Sequence, residues 1–151
     1  MDAVRIIAAS RRGLAQAQTV QEIVVEAWQA QALAEAVGSH LAISGPHEVR
    51  SRARGLGDAG GRTSAVLLIP APRIGGPRAA QLSEVRDTLA ALKGLNWLLG
   101  EVCEALVSVV CAADEEGMYW TCVEAMDVAD ESRDRVTGIL KHLAVCSPGT
   151  L

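Results

Sequence analysis

LSEVRDTLAALKGLNWLLGEVCEALVSVVCAADEEGMYWTCVEAMDVADESRDRVTGILKHL, residues 82–143, decides the architecture. Its apolar residues recur in alternating steps of three and four. Before the turn at Asp114-Glu115-Glu116-Gly117 they are Leu82, Val85, Leu89, Leu92, Leu99, Cys103, Leu106 and Val110, with Asn96 in phase. After it they are Tyr119, Cys122, Met126, Ala129, Val136, Leu140 and Leu143, with Arg133 in phase. Such spacing puts each set on one stripe of an α-helix. Two stretches of similar length joined by a short link predict an antiparallel helical hairpin. Folding at the link predicts that facing positions add to about 229, which places Asn96 opposite Arg133 as one polar layer.

Working outward, Asp2 is an N-cap for a first helix reaching about Ala17, with Val4, Ile7, Ala8 and Leu14 inward. Thr19-Val20-Gln21-Glu22 reads as a capping box opening a second helix to about Ile43. Its inward residues are Ile23, Ala27, Ala30, Ala34, Val37 and Leu41. Gly45-Pro46 ends it, and Pro46 opens a short basic helix through Arg54. From Gly55 to Pro77 the periodicity fails, which predicts an irregular crossover loop carrying the apolar run Ala65-Val66-Leu67-Leu68-Ile69. The third long helix is expected from Ala79 to Ala113, passing through Gly94 and Gly100, and the last from Glu115 to Val145. The fold class is therefore all-α: an up-down bundle of four main helices with a short fifth, in one domain over residues 1–151.

Composition narrows the function classes. Half of the 151 residues are hydrophobic, yet only 3% are aromatic and Phe is absent, so the core is aliphatic. No apolar run reaches the roughly 20 residues of a membrane span. The start, Met-Asp-Ala followed by a helical pattern, has no signal-peptide form. Cys103, Cys111, Cys122 and Cys146 lack CxxC spacing and predict free thiols in a cytoplasmic setting. A net charge of −4 argues against general nucleic-acid binding. Arg50, Arg52, Arg54, Arg62, Arg73 and Arg78 form a basic flank with one acid, Asp58. Residues 101–134 hold ten acids and one base, Arg133.

Glu101-Val-Cys-Glu104 and Glu124-Ala-Met-Asp127 place two acidic pairs on facing helices, where the expected register makes them level. Four carboxylates so arranged suit Mg²⁺, a hard cation that takes oxygen ligands. In these motifs the hairpin resembles the all-α NTP pyrophosphohydrolases of the MazG-like family. The resemblance implies metal binding by Glu101, Glu104, Glu124 and Asp127 and activation of water against a nucleoside triphosphate. Gly100 stands where that family has an additional acid. Trp97 and Trp120 lie one turn before the two motifs and are expected to be partly covered.

Arg135 and His142 have an R-x6-H spacing similar to that of HEPN-like ribonucleases, in which His would act as base and Arg would hold phosphate. Gly55-Leu-Gly57-Asp-Ala-Gly60 matches GxGxxG by letter but follows no strand, so it reads as a turn. His40 and His47 straddle Gly45-Pro46 and share no helix face. The stretch from Ala27 to Ala42 and the hairpin also resemble small uncharacterised helical proteins of streptomycetes and related actinobacteria, a resemblance that implies no activity. No catalytic set is assigned from the sequence and no cofactor is expected, with Mg²⁺ entering only on the hydrolase reading. The leading reading is a cytoplasmic interaction or regulatory protein acting as a homodimer, with a protein partner as the further option.

Overall fold

The computed structural model of the chain describes residues 1–66, 78–111 and 116–146. It is all-α, with helices α1 (Ala3–Gln16), α2 (Val20–Ser44), α3 (Arg50–Val66), α4 (Thr88–Val110) and α5 (Glu116–Cys146). Short 3-10 turns precede α3 at His47–Val49 and α4 at Arg78–Gln81. Among the described residues no helix is long and apolar enough to cross a membrane.

The first two helices start where capping chemistry places them. Asp2 accepts from the Val4 N–H at 3.2 Å, and Thr19 accepts from the Glu22 N–H at 3.1 Å. Glu22 reaches back to the Gln18 N–H at 3.0 Å, one residue beyond the usual target of a capping box. All six residues expected inward on α2 are buried. On α1, Ile7 and Leu14 are buried, but Val4 and Ala8 are exposed. The buried stripe there is Ala3, Ile6, Ile7, Ser10 and Leu14, so it is rotated by about one position.

α3 corrects the expected short helix. It runs through Gly55, Gly57, Gly60 and Gly61 instead of stopping at Arg54. Each glycine costs roughly 1 kcal/mol against Ala in a helix, so tertiary packing must offset the propensity. The packing is visible at Gly38 and Gly57, where α2 and α3 touch backbone to backbone. A Cβ on Gly38 would stand 2.6 Å from the Gly57 nitrogen and 2.9 Å from the Ala53 carbonyl oxygen. The letter match to GxGxxG is thus a helix–helix contact and not a turn. Of the apolar run 65–69, the first two residues close α3, and the rest lies outside the described residues.

Ile7 of α1 packs on Gly94 of α4, and Arg11 on Glu101, so these helices run parallel. α2 turns back against α1, and α3 turns back against α2, so α3 and α4 also run the same way. A return segment is needed between them, and residues 78–87 supply it. They travel down α1, from Arg78 beside Gly13 to Arg86 beside Asp2. The backbone pairs on the way through Ala3 N–H to the Glu84 carbonyl and Ser83 N–H to the Met1 carbonyl, both 3.1 Å. The Arg86 N–H donates to Asp2 at 3.0 Å, and this bond holds the Asp2 carboxyl below its ordinary range. Arg78 anchors the other end with a two-pronged pair to Glu26 (2.6 and 2.8 Å), and its own N–H reaches Gln29 at 2.9 Å. Of the crossover expected at 55–77, residues 55–66 belong to α3 and the rest lies outside the described residues, while residues 78–87 form the return segment. α4 accordingly begins at Thr88, capped by Asp87, and not at Ala79.

α4 is buried on two sides. Leu92, Leu99 and Leu106 form one heptad row, and Leu95, Leu98 and Val102 fill the next. Burying one such side chain contributes roughly 1.5–3 kcal/mol, and these six carry much of the core. Gly94 and Gly100 do not break the helix. α5 buries Cys122, Ala125, Ala129, Ser132, Val136 and Ile139, a stripe displaced from the expected one, so Tyr119 and Arg133 stand outside. Ser132 donates to the Gln31 side-chain carbonyl at 2.9 Å in the interior, which fixes α5 on α2.

The hairpin register also differs. Thr137 donates to Asn96 at 3.4 Å, the Arg133 guanidinium lies over Gly100, and Cys103 feels Asp130. Each contact is four residues beyond the expected register, about one turn. Asn96 and Arg133 do not form a layer. The bare Gly100 surface receives the guanidinium 3.3 Å from where a Cβ would be, and Asn96 takes the hydroxyl of the following turn.

Candidate functional site

The shifted register determines what becomes of the two acidic motifs. Glu101 stands level with Ser132 instead of Asp127, and Glu124 stands level with Val109. The pairs that would have been level are offset by roughly 7 Å along the axis. Glu101 is half-buried and accepts from Arg11 Nε at 2.6 Å. Glu104, Glu124 and Asp127 are exposed. Among the described residues, no three His, Cys, Asp or Glu side chains surround a common point where a metal ion could sit. The four carboxylates that the hydrolase resemblance names are thus not drawn to a common point in this structure.

The other motifs are also dispersed. Arg135 turns its guanidinium toward Gly55, where a Cβ would come within 3.1 Å, and pairs distantly with Glu131 at 3.9 Å. His142 follows two turns later and is half-buried. His40 is half-buried and His47 exposed. Of the basic flank, Arg78 is consumed by Glu26, and Arg50 donates to the Gly45 carbonyl at 2.9 Å at the end of α2. Arg52 and Arg54 are exposed. The Arg62 side chain and Arg73 lie outside the described residues.

Cys103, Cys111 and Cys122 are free thiols. Burial pushes the Cys103 and Cys122 thiols up, and for Cys103 the nearby Asp130 adds to the effect. Both are protonated at neutral pH and unsuited to nucleophilic work. The Cys146 side chain lies outside the described residues.

What the hairpin does present is aromatic surface. Trp97 is 63% exposed and Trp120 54%, so each is partly covered as expected but more than half open, and Tyr119 is 42% exposed. Trp28, in contrast, packs against the core. Tyr119 and Trp120 meet edge to face at 5.2 Å near the start of α5. Trp97 stands on the outer side of α4, with the Arg11 guanidinium 5.7 Å above its ring. Arg11 thus bridges an aromatic face and the Glu101 carboxylate, which holds both side chains in place. A signal for this surface lies in the distribution of aromatics along the chain. With three Trp, one Tyr and no Phe, all but Trp28 fall on the hairpin.

These features define an all-helical protein with an open aromatic hairpin face and dispersed acids. The chain belongs to the family of unknown function DUF6099, which matches residues 1–142. Neither a curated protein nor a solved structure matches it.

Proposed function

We propose that this chain is a cytoplasmic interaction module that works as a homodimer, pairing through its C-terminal hairpin. The carrying observation is the exposure of Trp97, Tyr119 and Trp120 on the two helices that also form much of the core. Large aromatics left open on an otherwise well-packed bundle mark recognition surfaces, because each carries a large apolar payload with a polar edge. Tryptophan and tyrosine are also the residues most enriched among those that dominate association energies. The dispersed carboxylates, the Arg135 pairing with Glu131 and the protonated buried thiols give no comparable support to an enzymatic reading.

Light scattering behind size-exclusion chromatography, run across a wide range of loading concentrations, tests the proposal. The expected mass is twice the 15.8 kDa of the chain, falling toward the monomer on dilution. A monomer at every concentration overturns it.

A further inference from the structure

α4 carries an open stripe made of Ala90, Lys93, Trp97, Glu101 and Glu104. At 100° per residue all of them lie within about 40° of Trp97. All are exposed except Glu101, which is half-buried against Arg11. The stripe is symmetric in a particular sense. Lys93 stands four residues before Trp97 and Glu101 four after, with Gly94 three before and Gly100 three after. Reversing the helix about Trp97 exchanges a cation for an anion and a glycine for a glycine.

From this pattern, and resting on the homodimer reading above, we infer that a second copy of this chain lays its own α4 antiparallel across the stripe, about a two-fold axis beside Trp97. A two-fold interface uses the same patch on both subunits, so the patch must be complementary to its own reversed image. Antiparallel packing brings Lys93 of each copy level with Glu101 of the other. Parallel packing would oppose Lys93 to Lys93 and Glu101 to Glu101, and such like-charge contacts suppress that arrangement. Trp97, 63% exposed, stands at the centre of the stripe, where an anchor is worth most. Arg11 already fixes the indole from one face and Glu101 through an ion pair, so little ordering remains to be done on association. Tyr119 and Trp120, at the far end of the hairpin, lie outside this stripe.

Charge reversal with sedimentation velocity tests the inference, each variant first shown by circular dichroism to keep its helicity. Lys93→Glu should weaken the dimer by facing Glu101 of the other copy, and Glu101→Gln, which still gives Arg11 an acceptor, should recover part of that loss in the double variant. Trp97→Ala should weaken dimerisation by roughly 30-fold or more, the effect of losing a central Trp anchor. Ile43→Ser, 77% exposed at the end of α2 and away from the hairpin, should leave it unchanged. A double variant no tighter than Lys93→Glu alone overturns the antiparallel pairing. A wild-type dimer indifferent to Trp97→Ala but lost in Trp120→Ser overturns this face while leaving the homodimer reading intact. A wild-type monomer at all concentrations overturns both.

Discussion

Gly38→Ala is expected to destabilise the fold by about 2–4 kcal/mol, although alanine is the better helix former by roughly 1 kcal/mol. The sign follows from what the new methyl would meet. Its neighbours are the Gly57 nitrogen at 2.6 Å and the Ala53 carbonyl oxygen at 2.9 Å, both backbone, which cannot rotate away. α2 and α3 would have to separate, and the close backbone packing of Gly38 on Ala53, Leu56 and Gly57 would be lost. Gly138→Ala supplies the comparison. It also lies within a helix, but a Cβ there meets nothing within 4 Å, so alanine should stabilise by up to about 1 kcal/mol. Chemical denaturation of the two variants should move the midpoint in opposite directions. Equal and favourable shifts would show that the α2–α3 contact is not this close.

The second large effect is expected at the anchor of the return segment. Glu26→Ala leaves the Arg78 guanidinium, whose side chain is 29% exposed, without its two-pronged partner. The loss should be about 2 kcal/mol, below that of a fully buried pair because water still reaches the arginine. Arg78→Met alone strands the Glu26 carboxylate, 14% exposed, at a similar cost. The double substitution should cost less than the two added together, because neither charge is then left unpaired. A double-mutant cycle by urea unfolding should show coupling of at least about 1 kcal/mol. Strict additivity would mean that the pair does not hold residues 78–87 in place. Gly13 belongs to the same device. Arg78 and Glu26 occupy the space its Cβ would need, at 2.6 and 2.9 Å.

How far each helix is legible in the sequence depends on how many faces it buries. α2 is legible along one stripe only: Ile23, Ala27, Ala30, Ala34, Val37 and Leu41 are in phase, whereas Val24, Gln29, Gln31, Leu33 and Gly38 are buried on its flanks. α4 is legible as a helix, but a heptad pattern registers one interface, and this helix buries two. The second row, Leu95, Leu98 and Val102, belongs to no single seam. The buried face of α5 is hidden because Arg133 and Tyr119 fall in phase with the apolar set, while the small Ser132 and Ala125 are the residues buried. Ser132 is held in the core by its hydrogen bond to Gln31, which lies 101 positions away in the chain. The length of α3 is masked because glycine reads as a helix breaker, and its stabilising contact comes from another helix. Spacing alone puts the acidic motifs on two antiparallel helices. Their levels depend on a register that lies one turn from the one the heptads suggest.

That register decides both the separation of Glu101 from Asp127 and the isolation of Trp97 on an open stripe. Nuclear Overhauser contacts within the α4–α5 hairpin test it most directly. The side-chain amide protons of Asn96 should show a contact to the methyl group of Thr137, whose hydroxyl donates to the Asn96 carbonyl, and none to the Arg133 side chain. Contacts from Asn96 to Arg133, with none to Thr137, would place the hairpin one turn back, make the carboxylate pairs level and contradict the dispersed-acid, open-aromatic reading of this face.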